Sequence, residues 1–182
     1  MGAYLVFIDE SGFLLIPALR RTWAPRGQTP VHRHHLKREK VSTISALTVS
    51  PRRRHLGLYF RCLSEANFDS IAVADFLRHL LKHLRGFVIV IWDNGRHHKG
   101  DAVRALLRRC QRLHLEALPP YAPDLNPDEG VWNQIRTALA NGRPDDARQL
   151  AETLNHLLIN LGLSQPKLRW CFHQSQLPSF LS

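Results

Sequence analysis

Phe87-Val88-Ile89-Val90-Ile91-Trp92-Asp93 is the stretch on which the reading of the fold turns. β-branched and aromatic residues fill it up to Trp92, the composition of a strand buried on both faces, and it stops at an aspartate followed by Asn94-Gly95. Tyr4-Leu5-Val6-Phe7-Ile8 has the same character and stops at Asp9-Glu10-Ser11-Gly12, which reads as a turn. Two such strands lying side by side and parallel bring Asp9 and Asp93 out at one edge of a sheet. That carboxyl edge is where open α/β sheets place their sites.

Outward from these runs, residues 13–16 read as a second, separate strand cut off by Pro17. Residues 17–40 are irregular, with Pro17, Pro25, Gly27 and Pro30 as punctuation. Strands are expected at 41–49 and 55–62, around a turn at 51–54, and a last short one at 113–118. Ile71, Val73, Phe76, Leu77, Leu80, Leu81 and Leu84 recur at helical spacing, with Asn67 or Ser64 as the cap. Further helices are expected at 101–110, from Asn126 to about 140, and at 145–161, followed by an irregular tail. Antiparallel strands come first and crossovers follow, so the expectation is one mixed sheet flanked by helices, an α/β fold. The chain reads as a single domain over 1–182, with a core at about 3–140 and a C-terminal helical segment at 145–182.

The 182 residues suffice for a hydrophobic core without disulfides or structural metal. Cys62, Cys110 and Cys171 are widely spaced, forming neither a zinc pattern nor a disulfide framework, which fits a reducing cytoplasm. No apolar run is long enough to span a bilayer, no signal peptide is visible at the start, and no membrane partner is expected. Lys and Arg number 25 against 15 acids, a balance of +10, so the expected partner is a polyanion. Arg20, Arg21, Arg26, Arg33, Lys37, Arg38 and Lys40 in the irregular stretch, and Arg52-Arg53-Arg54 in the hairpin turn, are the candidate DNA-binding residues. Such runs are otherwise simply solvated tips.

Against that basic background the acids stand out. Asn126-Pro127-Asp128-Glu129 is a helix start, with Asn as the cap, Pro in the first turn and acids at the positive end of the dipole. Glu129 therefore opens a helix after a proline-dense loop and can be aimed at the edge that carries Asp9 and Asp93. Three converging carboxylates offer the oxygen ligands that Mg²⁺ or Mn²⁺ prefers. Two such ions about 4 Å apart activate the attacking oxygen and stabilise the leaving one in phosphodiester cleavage. Each acid also has a structural alternative. Asp9 and Asp93 suit turn formation, and Glu129 suits a capping box with Asn126. Asp124 suits a brace for the proline loop, and Asp128 the helix dipole.

Tyr121-Ala122-Pro123-Asp124-Leu125-Asn126-Pro127-Asp128-Glu129-Gly130-Val131-Trp132 resembles the third-acid motif of the mariner superfamily of transposases, and is most similar to its bacterial insertion-sequence branch. Ile8-Asp9-Glu10-Ser11-Gly12 resembles the first-acid segment, and Trp92-Asp93-Asn94-Gly95-Arg96-His97-His98 the second; 35 residues separate Asp93 from Glu129. Residues 23–30 are similar to the hairpin between the first strands, and the likeness runs from about residue 6 to 180. The resemblance implies a ribonuclease-H-like fold and an Asp-Asp-Glu triad of Asp9, Asp93 and Glu129 holding two Mg²⁺ or Mn²⁺ ions. Asp9 would bridge both ions, Asp93 would bind one and Glu129 the other. It implies cleavage at transposon ends followed by strand transfer into target DNA at TA. His98, five residues after Asp93, aligns with the family histidine and would contact the scissile phosphate or order the site. Asn94 would orient Asp93 or a metal-bound water, or else form a turn with Gly95; Asn126 would support the acids; and Trp132, a packing residue one turn after Glu129, would brace it. The remaining histidines, His32, His34, His35 and His97, read as parts of a phosphate-binding surface rather than a zinc site.

Relatives carry a helix-turn-helix region ahead of the catalytic strands, for which a first strand at about residue 4 leaves no room. The chain would then be one product of a split reading frame, a fragment or a remnant; a separate helix-turn-helix chain and a second copy of this one are candidate partners besides DNA, with a bacterial cytoplasmic, nucleoid-associated location. The rival readings are another ribonuclease-H-like nuclease and a catalytically silent, transposase-derived DNA-binding module.

Overall fold

The computed structural model describes residues 2–15, 25–26, 39–93, 95, 98, 100–120, 122–140, 144, 146–178 and 181. In chain order these form β1 (Tyr4–Leu14), β2 (Lys40–Val49), β3 (Leu56–Ser64), α1 (Ser70–His83), β4 (Val88–Trp92), α2 (Asp101–Arg109), β5 (Leu113–Ala117), α3 (Asp128–Leu139), α4 (Ala147–Gly162) and α5 (Gln165–Gln174). A 3₁₀ turn at Pro123–Leu125 leads into α3. The strands make one sheet in the order β3-β2-β1-β4-β5. β1, β2 and β3 pair antiparallel, whereas β4 runs parallel to β1 and β5 parallel to β4. This is the mixed α/β sheet expected.

Strand alternation sorts the core into two layers. Val6 and Ile8 of β1 face the same side as Ile44, Ala46, Val88, Val90 and Trp92, and pack under α1 and α2 through Val73, Leu77, Leu80 and Val103. Phe7 and Phe13 face the other side with Val41, Leu47 and Val49, under Val131, Trp132, Leu154, Leu158 and Phe172 of α3, α4 and α5. Asp9 falls in the second set and Glu10 in the first, which decides what each can touch. The Arg112 guanidinium donates to the carbonyls of Leu84 (2.7 Å), Gly86 (2.8 Å) and Leu81, closing the end of α1 and setting the entry into β4.

The structure departs from the sequence reading in four places. First, β1 does not stop at Asp9 but runs through to Leu14, so the expected turn at 9–12 and the separate strand at 13–16 are one strand. Pairing with β2 from Leu5↔Val49 to Leu14↔Lys40 carries the chain straight through Gly12. Gly12 leaves room for Lys40, whose Cε would lie 2.6 Å from an added Cβ. Second, α1 is capped by Asp69, whose Oδ1 accepts from the Ala72 N–H at 2.8 Å. Asn67 instead accepts from Lys40 Nζ (2.8 Å) and Ser42 Oγ (3.2 Å). Third, the tail expected to be irregular contains α5, which buries Leu168, Cys171 and Phe172. α3 and α5 cross closely: a Cβ on Gly130 would sit 2.8 Å from Cys171 Cα and 2.9 Å from its Cβ, so only glycine fits there. Fourth, Asp128 stands in the first turn of α3, where the dipole reading puts it, but its partner is a side chain of β2. It is fully buried, accepting from Ser45 Oγ at 2.7 Å.

Candidate active site

β4 ends at Trp92, so parallel pairing with β1 stops at Phe7↔Ile91, and Asp9 stands two residues past that point. Beyond it β1 has only β2 on its flank. The chain leaving β4 therefore turns away where Asp9 projects. Asp93 lies at the same edge because it follows Trp92 directly. Asp9 is thus placed by the end of its neighbour rather than by its own, but the outcome expected from the two short strands holds.

The third acid is brought in by Asn126. Its Nδ2 donates to the Ile8 carbonyl of β1 at 3.1 Å, and its Oδ1 accepts from the Asp128 N–H at 3.1 Å. One side chain thus caps the start of α3 and ties it to the strand beside Asp9. The Asn126 N–H bonds to the Pro123 carbonyl at 2.8 Å, so Glu129 is not drawn back into a capping box. Asp124 lies in the 3₁₀ turn and meets the tail through its backbone, its carbonyl accepting from Gln176 at 2.8 Å. Asp9, Asp93, Glu129 and Asn126, with Leu118, Pro119, Pro120, Ala122 and Pro123, line one cavity of about 420 Å³.

Each acid has a different anchor. Asp9 Oδ2 accepts from Trp132 Nε1 at 2.9 Å, so the fully buried indole braces Asp9 and not, as expected, Glu129. Burial, then the Glu129 carboxylate, pushes the Asp9 carboxyl up to about 7, with Glu10 adding to the rise and the Trp132 bond opposing it. Asp128 behind it is likewise held well above the usual carboxylate range, first by burial. Asp93 Oδ1 accepts from the Gly95 N–H at 2.8 Å, an Asx turn, and lies 3.0 Å from His98 Nδ1. His98 is buried, stacked on Trp92 with ring centroids 4.1 Å apart, and its Nε2 lies 3.0 Å from Glu10 Oε1. Burial alone would lower the His98 pKa, but the Glu10 hydrogen bond and charge, with Asp93, raise it. His98 therefore orders Asp93 from within rather than standing in the cavity. Glu129 has Arg136 Nη1 at 3.9 Å, and Arg136 Nη2 donates to Ser11 Oγ at 3.0 Å.

Glu10, Ser11 and Arg136 are the site residues that sequence reasoning missed. Arg136 was findable, because Glu129, Trp132 and Arg136 follow one face of α3 at helical spacing. Glu10 had no sequence signal beyond its place beside Asp9.

All three acids offer oxygen, the donor suited to a hard divalent ion, and the raised Asp9 carboxyl is what a cation beside Asp9 and Glu129 would relieve. Among the described residues no group of three His, Cys, Asp or Glu already stands ready to hold a metal. Asp93 Oδ1 is held by Gly95 and His98. The carboxylate oxygens that line the cavity are donors that fit a hard divalent ion.

The Asp9 shift has a consequence for the metal-free protein. Its folded pKa of about 7 exceeds the ordinary 3.8, so in this window the folded chain holds a proton that the unfolded chain releases. Stability should fall as pH rises from about 4 through 7, and Asp9→Asn should flatten that slope. Urea midpoints measured in chelator across this range check it; a wild-type slope matched by the variant removes Asp9 as its source.

A family model described as DDE superfamily endonuclease matches residues 4–151. The chain belongs to the DDE superfamily of endonucleases. No curated protein sequence matches it. Among solved structures, the chain is similar to the Mos1 mariner paired-end complex with Mn, with TM-score 0.67, 21% identity, 93% of this chain and 52% of that chain covered. It is also similar to the catalytic domain of Mos1 mariner transposase, with TM-score 0.61, 17% identity, and 93% and 76% covered. A simian T-cell lymphotropic virus intasome gives TM-score 0.55 at 14% identity, with 99% and 58% covered. At these identities the likeness establishes the fold, the ribonuclease-H-like sheet and helices expected. The chain spans about half the length of the Mos1 chains in the paired-end and strand-transfer complexes.

The described basic residues of the chain divide by register. Lys40 pairs with Leu14, at the end of β1 beyond Asp9. Arg52, Arg53 and Arg54 lie between Val49 and Leu56, at the opposite end, where Arg53 Nη1 donates to the Ala3 carbonyl at 3.4 Å. Arg26 lies in a turn and is exposed. Arg20, Arg21, Arg33, Lys37, Arg38, Asn94 and His97 lie outside the described residues, as do His32, His34 and His35. No helix among the described residues is long and apolar enough to cross a membrane.

Proposed function

We propose that this chain is the catalytic domain of a cut-and-paste DNA transposase, of the insertion-sequence branch of the mariner superfamily. It would cut phosphodiesters at transposon ends and join the resulting 3′-hydroxyl to target DNA at TA. The observation that carries the reading is that Asp9, Asp93 and Glu129, from three separate elements, face one cavity at the carboxyl edge of the β1–β4 pair. Similar folds in Mos1 complexes named for paired ends, strand transfer and Mn make DNA ends and a divalent ion the natural ligands.

Asp9, Asp93 and Glu129 would hold two Mg²⁺ or Mn²⁺ ions, which when bound would activate the attacking oxygen and stabilise the leaving one. Trp132 fixes the rotamer of Asp9. Glu10 fixes His98, which positions Asp93. Asn126 sets the angle at which α3 delivers Glu129. Arg136, beside Glu129, is placed to pair with a DNA phosphate, and Lys40 and exposed Arg26 would add basic charge for the DNA backbone. Residues 1–182 would act as one domain, with a second copy and a helix-turn-helix segment or chain supplying end recognition, in the bacterial nucleoid.

The test is a cleavage assay on labelled inverted-repeat DNA with Mg²⁺ or Mn²⁺. Metal-dependent nicking is expected. Cutting confined to RNA–DNA hybrids would point to another nuclease of this fold, and tight DNA binding without cutting to a silent module. Calorimetry should also show divalent binding that Glu129→Gln weakens by about tenfold or more. Unchanged binding would remove Glu129 from the metal site.

A further inference from the structure

Away from the cavity, the exposed side of α1 carries His79 and His83, one helical turn apart. Their Nε2 atoms are 3.3 Å apart and their ring centroids 4.8 Å. The helix beneath them is held rigid by buried Phe76, Leu77, Leu80 and Leu81. The His83 ring also lies against Tyr59 of β3, with centroids 5.8 Å apart. The pair is thus preorganised: two imidazole nitrogens converge on a fixed backbone.

In the metal-free protein one ring donates to the other. The same separation suits a chelated ion. With metal–nitrogen bonds of about 2.0–2.1 Å, nitrogens 3.3 Å apart subtend about 107° at the metal, close to the tetrahedral angle. A right-angled, octahedral pair would need its nitrogens near 2.9 Å apart. We propose that His79 and His83 form a binding site for a tetrahedral, imidazole-preferring ion of the Zn²⁺ class on the outer face of α1. Two histidines at i and i+4 on one helix face are a recurrent zinc arrangement. Nitrogen donors select against Mg²⁺, so this site and the all-oxygen cavity take different ions. Binding displaces the proton shared by the two rings and leaves two positions for water or a further ligand. Asp75, one turn earlier on the same stripe and now paired with Arg78, is the nearest such ligand in sequence.

Calorimetry of the full chain with Zn²⁺, and nitrogen NMR of the histidine rings, test the proposal. Zn²⁺ should bind and shift the Nε2 resonances of both residues, whereas Mg²⁺ should shift neither. His79→Ala or His83→Ala should weaken that binding about a hundredfold, because the second imidazole acts at high effective concentration. Both positions are exposed, so melting temperature should hardly move. The double variant Asp9→Asn, Glu129→Gln should keep the site intact. Zn²⁺ binding that survives either alanine, or that only the cavity variant removes, overturns it.

Discussion

On the proposed function, Asp93→Asn should lower metal-dependent DNA nicking by about a thousandfold and leave the fold intact. Asparagine keeps an oxygen where Asp93 Oδ1 accepts from the Gly95 N–H, so the Asx turn after β4 survives. The Asp93 side chain is 61% exposed, so losing its charge should cost little stability. What disappears is an anionic oxygen at the edge of the cavity shared with Asp9 and Glu129. A thousandfold loss corresponds to about 4 kcal/mol of transition-state stabilisation, reasonable for a ligand that orders an ion among reacting oxygens. Single-turnover nicking in Mg²⁺ and in Mn²⁺, with thermal melting alongside, measures both halves. A folded variant cutting at the wild-type rate would remove Asp93 from the chemistry. His98→Ala supplies a graded comparison. It leaves the carboxylate but removes the ring that holds it, so nicking should fall by less than in Asp93→Asn.

Strands whose partners flank them on both sides were the easiest to read. Val88–Trp92 lies between β1 and β5, and a run without polar residues admits little else. Glu129 was also legible, because capping is local: Asn126, Pro127 and the acids announce a helix start within four residues. Long-range pairing was harder. Gly12 looks like the end of a strand, yet it lets β1 continue, because β2 supplies hydrogen bonds and Lys40 covers the gap. α5 carried a readable signal in Leu168, Cys171 and Phe172, but its ten residues have a proline in second place and its buried face matters only against α3. The site followed the same rule. Periodicity told which face of α3 Trp132 occupies, but not that the nearest carboxylate there belongs to Asp9, 123 residues earlier. Asp128 misled for a related reason: a helix N-terminus favours an acid whether it is solvated or buried. Only the register that puts Ser45 opposite Asp9 shows that this one is enclosed.

Trp132 joins stability to the site, and its replacement carries the largest expected cost to the fold. The ring is fully buried, packed edge-on against Phe13 with centroids 5.9 Å apart, in the layer between the sheet and α3, α4 and α5. Trp132→Ala should destabilise the protein by about 3–5 kcal/mol, since neighbours on a sheet and helices collapse only partly into the space. That amounts to a drop in melting temperature of about 6–20 °C for a chain of this size. Trp132→Phe separates packing from the hydrogen bond. It retains most of the apolar contact but leaves Asp9 Oδ2 without its 2.9 Å donor. Because that bond opposes the rise in the Asp9 pKa, its loss should move the carboxyl above its present value of about 7. At neutral pH a larger fraction of Asp9 would then be protonated in the metal-free protein, and a cation would have to displace that proton. Trp132→Phe should accordingly melt close to wild type yet need more Mg²⁺ for half-maximal nicking, with the gap narrowing as pH rises from 7 toward 9. A Mg²⁺ requirement equal to wild type at every pH would reduce Trp132 to a packing residue and leave Asp9 to be positioned by β1 alone.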